Sequence, residues 1–135
     1  MITNYQKNNV MDLLFGKVEY EAPSMLYLGL STAPILEDGT GVEEPVGNGY
    51  ERLGVVNDKT SFSVSENGVI TNAAQFTFNE STGEWGTVRY VFVADAAVDG
   101  NVLYCEALTK ERVVQDSSSL TFPVGALSFT LYNRA

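Results

Sequence analysis

Histidine is absent from this sequence and cysteine occurs once. Each scarcity removes a class of chemistry. Without imidazole the usual general base near neutral pH is missing, and so is the commonest transition-metal ligand. A Ser-His-Asp or Cys-His nucleophile is excluded. One thiol cannot build a zinc site, and Cys105 cannot close an intramolecular disulfide. It lies in an apolar stretch and is expected to pack as a small hydrophobe. No glycine-rich loop leads from a strand into a helix, so no nucleotide fingerprint is present. No apolar run approaches the roughly 18 residues of a membrane span. The polar opening Met1-Ile2-Thr3-Asn4-Tyr5 lacks the basic and apolar regions of a signal peptide, which predicts synthesis and assembly in a cytoplasm.

Basic residues are also scarce. Eight Lys and Arg stand against 17 Asp and Glu, a formal net charge of −9, and the eight are scattered. Phosphate neutralisation needs them clustered, so nucleic acid is not an expected partner. The acidity is densest where Glu37, Asp38, Glu43 and Glu44 fall within eight positions. That cluster reads first as a solvated loop, and second as a surface for a basic partner or a cation. A calcium site from Glu37, Asp38, Asp95 or Asp99 is allowed by ligand chemistry, but the spacing does not match an alternating calcium loop, and no cofactor is expected. Glu84 beside Trp85 has the ingredients of a sugar site. A lone tryptophan at a strand entrance is more often a core plug.

What the chain has in quantity is short alternating segments separated by Gly, Asn and Asp. Leu26, Leu28 and Leu30 alternate through a half-buried strand that Pro34 ends. Residues 50–56 read as a strand, Phe62 and Val64 as a short one, and Asn67-Gly68 as a tight type I′ hairpin. Residues 75–78 follow. Residues 87–94 form the strongest strand, with Val88, Tyr90, Phe92 and Ala94 opposing Arg89, Val91 and Val93. Apolar residues on both faces place it centrally in a sheet. Asp99-Gly100 turns into residues 102–108. Arg112-Val113-Val114 reads as a separate edge piece, and residues 120–122 and 124–131 close the set, the last with Leu127, Phe129 and Leu131 opposite Ser128, Thr130 and Tyr132.

Eight or nine strands at this spacing predict a mainly β chain, an antiparallel, jelly-roll-like β-sandwich. One helix precedes it. Thr3 and Gln6 have capping-box spacing, Val10, Leu13 and Leu14 share a face, and Gly16 is a natural stop, so a helix is predicted over residues 4–15. The length of 135 residues suits one domain, read as a helix and linker over residues 1–20 and a β-sandwich over residues 21–135. So short a helix is marginal alone and must pack on something. It either caps an open sheet end or attaches to a neighbouring subunit. Residues 35–49 form the longest irregular stretch, and such loops are usually functional or mobile.

Several segments in order, Leu28-Gly29-Leu30-Ser31-Thr32-Ala33-Pro34, Glu43-Glu44-Pro45, Gly49-Tyr50-Glu51-Arg52, Trp85-Gly86-Thr87-Val88 and Pro123-Val124-Gly125-Ala126-Leu127-Ser128-Phe129, resemble a family of small virion proteins of tailed bacteriophages. Its members are described as head-fibre, decoration or tail-fibre-like proteins. The resemblance implies a β-sandwich used in several copies on a particle, with no catalytic residues. The expected function is a non-enzymatic capsid decoration or head-fibre accessory assembled as a homotrimer on a capsid or tail protein. Its contact surface would be Val10, Leu13 and Leu14 or the acidic Glu37, Asp38, Glu43 and Glu44. The alternative is a tail-fibre or baseplate module binding host carbohydrate through Trp85, Tyr50 or Tyr104. Neither a membrane nor nucleic acid is an expected partner. In the fold, Tyr50 is expected over the sheet edge and Arg52 to pair with Glu44.

Overall fold

The computed structural model describes residues 1–16 and 19–131. One helix, α1 (Asn4–Leu14), precedes eight strands: β1 (Met25–Ser31), β2 (Leu53–Val56), β3 (Val69–Thr71), β4 (Phe76–Thr77), β5 (Gly86–Ala94), β6 (Val102–Val114), β7 (Thr121–Phe122) and β8 (Ser128–Thr130). Every pairing is antiparallel. Four strands form a sheet in the order β2-β1-β5-β6, and β3-β8 and β4-β7 form two ribbons.

One hydrophobic cluster joins the sheet to the ribbons. Leu28, Leu30, Val88 and Val91 of the sheet meet Phe76, Phe78, Phe122 and Leu127. That makes a sandwich-like fold, as the strand spacing predicts, and not a closed barrel. The jelly-roll likeness extends to the layering only, because two separate ribbons stand where a second four-stranded sheet would be. On the sheet's other face Ile35, Phe92, Ala94 and Cys105 form a smaller cluster. Burial raises the Cys105 thiol pKa, and the residue packs there as a small hydrophobe.

Strand β5 is central, between β1 and β6, and both its faces are covered. Its alternation differs from the even one predicted. Val88 pairs with Arg112 while Tyr90 pairs with Ala107, so one residue of β5 opposes four of β6. This bulge turns Val88 toward the main core with Val91, away from Tyr90 and Phe92. It also keeps Arg112-Val113-Val114 inside one 13-residue strand instead of a separate edge piece.

Other boundaries move for local reasons. The strand expected over residues 50–56 begins at Leu53. Phe62 makes a single bridge to Asn72, and Val64 is exposed outside any strand. Residues 75–78 and 120–122 shorten to the two-residue β4 and β7. The last strand starts at Ser128 because the chain turns through Gly125, φ 80°, where Ala126 N donates to Pro123 O at 3.0 Å. Tyr132 lies outside the described residues. Asn67 and Gly68 take φ of 53° and 77°, the left-handed pair that the predicted I′ turn requires.

Two buried polar side chains hold the ribbons. Asn72 donates through Nδ2 to Ala74 O at 2.8 Å and Pro123 O at 2.9 Å, and its Oδ1 accepts from Leu127 N at 2.9 Å. Ser81 Oγ accepts from Ser118 N at 2.9 Å and donates to the Gln115 carbonyl. A buried side chain bonded in this way replaces backbone ladder where the strands are only two or three residues long.

Candidate functional site

The sequence offers two contact elements, the helix face and the acidic loop, and the fold brings them side by side. Thr3 is the N-cap and is fully buried. Its Oγ1 accepts from Gln6 N at 3.4 Å and donates to Val102 O at 2.6 Å, while its own amide donates to Leu103 O at 3.1 Å. The reciprocal half of the capping box is therefore replaced by a bond to β6. Ile2 bridges Tyr104, and Cys105 N donates to Met1 O at 2.9 Å, so the residues before α1 cover part of the β6 edge. From the loop, Glu37 O accepts from Asn4 N at 2.8 Å, and the Glu37 carboxylate pairs with Lys7.

Beyond this fixed start the helix commits nothing to the interior. None of its residues is buried. It ends at Leu14, with Phe15 as C-cap donating to Met11 O at 3.0 Å and Gly16 in the left-handed region at φ 71°. Leu14 is 70% exposed and Phe15 65%, with Met11 and Leu13 about half exposed at 52% and 51%. Val10, Met11 and Leu14 border a groove that runs to Leu131. Adjoining it, and sharing Ile2, Thr130 and Leu131, is a cleft of about 470 Å³ between the sheet and the β3-β8 ribbon. Leu26, Phe62, Ile70 and Phe129 form its walls, and among the described residues no charged one lines it.

The acidic loop is tied down instead. Glu44 accepts from Arg52 through both oxygens, Nε to Oε1 at 2.9 Å and Nη2 to Oε2 at 3.0 Å. Arg52 Nη1 also donates to Ala96 O and Asp99 O, each at 2.8 Å. Its guanidinium lies 5.1 Å from the Phe92 ring centroid, and its side chain is 7% exposed. Tyr50 donates to Glu44 Oε1 at 2.7 Å and accepts from Leu30 N at 3.0 Å, closing the sheet edge above the start of β2. Burial, then the Glu44 carboxylate, pushes the Tyr50 hydroxyl far above its ordinary pKa. Burial alone would lower the Arg52 pKa, but Glu44 outweighs it and the guanidinium is held charged. The expected Arg52–Glu44 pair is thus present, with the guanidinium largely enclosed.

The four acids therefore differ. Glu44 is spent inside the chain. Glu37 is exposed and tied to α1. Asp38 is exposed and accepts from Thr40 N at 3.0 Å and Thr40 Oγ1 at 2.6 Å, which lowers its pKa. Glu43 is exposed, its amide donating to Ser31 Oγ at 3.0 Å. Among the described residues no three Asp, Glu or Cys side chains converge as a metal site would require, and no helix is long and apolar enough to cross a membrane.

The aromatic candidates lie elsewhere. Trp85 is 4% exposed, donates from Nε1 to Asn48 O at 2.8 Å and meets Tyr50 edge-on at 5.3 Å. Tyr104 is buried, packs edge-on against Phe129 at 5.3 Å and donates to Glu106 at 2.7 Å. Tyr50 is half-buried. Sugar stacking needs an open ring face, and these rings are committed to the interior. The core-plug reading of Trp85 is the one the fold bears out. Sequence reasoning missed the cleft, whose lining comes from several well-separated stretches of the chain. Met11 and Phe15, beside the leucines of the helix face, were also missed.

No curated protein matches the chain. Residues 1–130 match the family described as podophage GP4 fiber I protein gp80, in agreement with the resemblance carried by the sequence segments. The chain belongs to this phage fibre family and is a structural component of the virion.

Proposed function

We propose that this chain is a non-enzymatic accessory of the phage particle, a capsid decoration or head-fibre subunit that assembles with copies of itself in the host bacterial cytoplasm. A closed trimer is the preferred form, because closed symmetry is the rule for homo-oligomers. The apolar helix end carries the reading. An 11-residue helix does not persist alone in water. Here it is bolted at its start by Thr3 and Asn4 and leaves Met11, Leu13, Leu14 and Phe15 in solvent. A fixed apolar surface of this kind is suited to being covered by another molecule. Residues 1–20 then serve as an attachment element and residues 21–135 as the β body.

The alternative keeps the virion setting and makes the chain a tail-fibre or baseplate module that binds host surface carbohydrate. The word fibre in the family's description favours it. Trp85 and Tyr104 point inward, so it needs a different recognition surface. Electron cryo-microscopy of particles carrying a tagged copy separates the two. Density on the capsid lattice supports decoration. Density confined to the tail, with binding on a glycan array, supports the alternative. A monomer by light scattering at the highest soluble concentration removes the oligomeric reading.

A further inference from the structure

We infer that Asn67 is a site of spontaneous covalent modification. In the folded chain its side-chain amide is lost to attack by the Gly68 nitrogen, leaving aspartate or isoaspartate, while the other Asn-Gly pair, Asn48-Gly49, is held intact by the fold.

The step needs no enzyme. Solvent base takes the proton of the Gly68 amide, its nitrogen bonds to Asn67 Cγ, and the Cγ–Nδ2 bond breaks. The leaving nitrogen picks up a proton from solvent and departs as ammonia. Water then opens the cyclic imide at one of its two carbonyls, giving isoaspartate at the backbone carbonyl and aspartate at the other. Nothing is oxidised or reduced, and water is the only co-reactant. Glycine suits the attacking position because it has no Cβ to crowd the nitrogen.

The two pairs share their sequence and nearly share their backbone. Asn67 and Asn48 both take φ 53°, their glycines take 77° and 79°, and both asparagines are exposed. Their tethers differ. Asn48 Nδ2 donates to Glu84 O at 2.9 Å, and Asn48 O accepts from Thr82 N at 2.9 Å and from the buried Trp85 Nε1 at 2.8 Å. Gly83 closes over the same group: a Cβ on it would stand 2.6 Å from Asn48 Cγ, the atom that must be attacked. Around Asn67, residues 64–68 are all exposed. Among the described residues neither the Asn67 side chain nor the Gly68 amide has a hydrogen-bond partner. The turn is held by two bonds between Glu66 and Val69, at 2.9 and 3.0 Å, and by Leu131 N to Gly68 O at 2.8 Å, ahead of a three-residue strand.

Those tethers decide the rates. A closed turn fixes the glycine nitrogen relative to Cγ, so each turn must open locally before it reacts, and a segment with few committed bonds opens more often. Opening at Asn48 also breaks the bonds to Glu84 and Trp85, so conversion there is expected to run at least about tenfold slower. The product changes the surface. Either form adds a negative charge beside Glu66, next to the cleft that Ser65 and Gly68 line. Isoaspartate also lengthens the main chain inside the turn that sets the β3-β8 register.

The test incubates the unaltered chain in mildly alkaline buffer, folded and in urea, and follows the peptides carrying each asparagine by mass spectrometry. Conversion reads as a gain of one mass unit, and isoaspartate is separated from aspartate by chromatographic retention. In urea the two sites are expected to convert at similar rates, and in the folded chain Asn67 is expected to convert well ahead of Asn48. Asn48 matching or leading Asn67 in the folded chain overturns the proposal. So does an Asn67 that stays intact while the unfolded chain converts to completion. An equal lag at Asn48 in urea also overturns it, because neighbouring residues and not the fold would then set the difference.

Discussion

The regular element and the irregular one exchange the roles that their secondary structure suggests. Helix α1 is hydrogen-bonded along its length, yet it buries no side chain. The loop over residues 35–49 forms no strand, yet Glu44, Tyr50 and Arg52 tie it to β1, to the turn after β5 and to the Phe92 ring. Integration into a fold is set by what side chains are committed to, and backbone regularity is a separate property. The loop belongs to the body, whereas the helix end stays exposed.

The largest expected effect lies at the node of the loop. Arg52→Ala leaves Glu44 with the Tyr50 hydroxyl alone and two carbonyls without their donor, and breaking an enclosed ion pair costs about 3 kcal/mol. Urea unfolding should show that loss, and Arg52→Lys should recover little, since an ammonium cannot reproduce the two-pronged contact. A change below about 1 kcal/mol, the range of exposed pairs, would mean that the loop is not held as described.

Beneath the node, Gly29 pairs with Phe92, and a Cβ there would lie 2.1 Å from Phe92 Cζ. Gly29→Ala is expected to destabilise by roughly 1–3 kcal/mol through overpacking. Phe92→Leu in that background should cost less than the sum of the single changes, because the two residues are in contact. Additive losses would separate the glycine from the ring and from the loop above it.

On the helix side, Thr3→Val removes a hydroxyl that serves both α1 and β6. The expected loss is about 1–2 kcal/mol, with faster hydrogen exchange confined to α1. Equal loosening of the loop would erase the contrast between the regions.

The smallest effect is electrostatic. The Thr40 hydroxyl, then its amide, lowers the Asp38 pKa. Its contribution to stability is present above the carboxyl's unfolded pKa and fades as pH falls through the lower folded value. Thr40→Val should return the Asp38 carboxyl toward its ordinary value in an NMR titration; no movement would show that the hydroxyl does not set it.

Much of this was legible in the sequence, for identifiable reasons. The Leu26-Leu28-Leu30 alternation, the two-faced apolar run of β5 and the Asn67-Gly68 turn are local signals, and local geometry decided them. The pairing of Arg52 with Glu44 was also readable, but its enclosure depends on the turn carrying Ala96 and Asp99, over 40 residues away. The bulge was not readable. Lys110-Glu111-Arg112 reads as a break because charges rarely continue a buried strand, whereas here they lie on the sheet's outer strand. Asn72 looks like any turn residue and gives no sign that it is buried among ribbon carbonyls. For the proposed contact surface, Val10, Leu13 and Leu14 follow from helical spacing, and no partner contact tests them. The cleft beside them could not, since its lining is assembled only when β3-β8 folds over the sheet.

Hydrogen exchange read by mass spectrometry, on the unaltered chain at low and high concentration, tests the central contrast most directly. In dilute solution the amides of residues 10–16 are expected to exchange quickly and then slow as copies associate. Those of Leu30, Thr32, Leu36 and Tyr50, bonded to the hydroxyl and carbonyls of the tethered loop, should exchange slowly at both concentrations. Rapid exchange throughout residues 30–50, or a helix end indifferent to concentration, would contradict it.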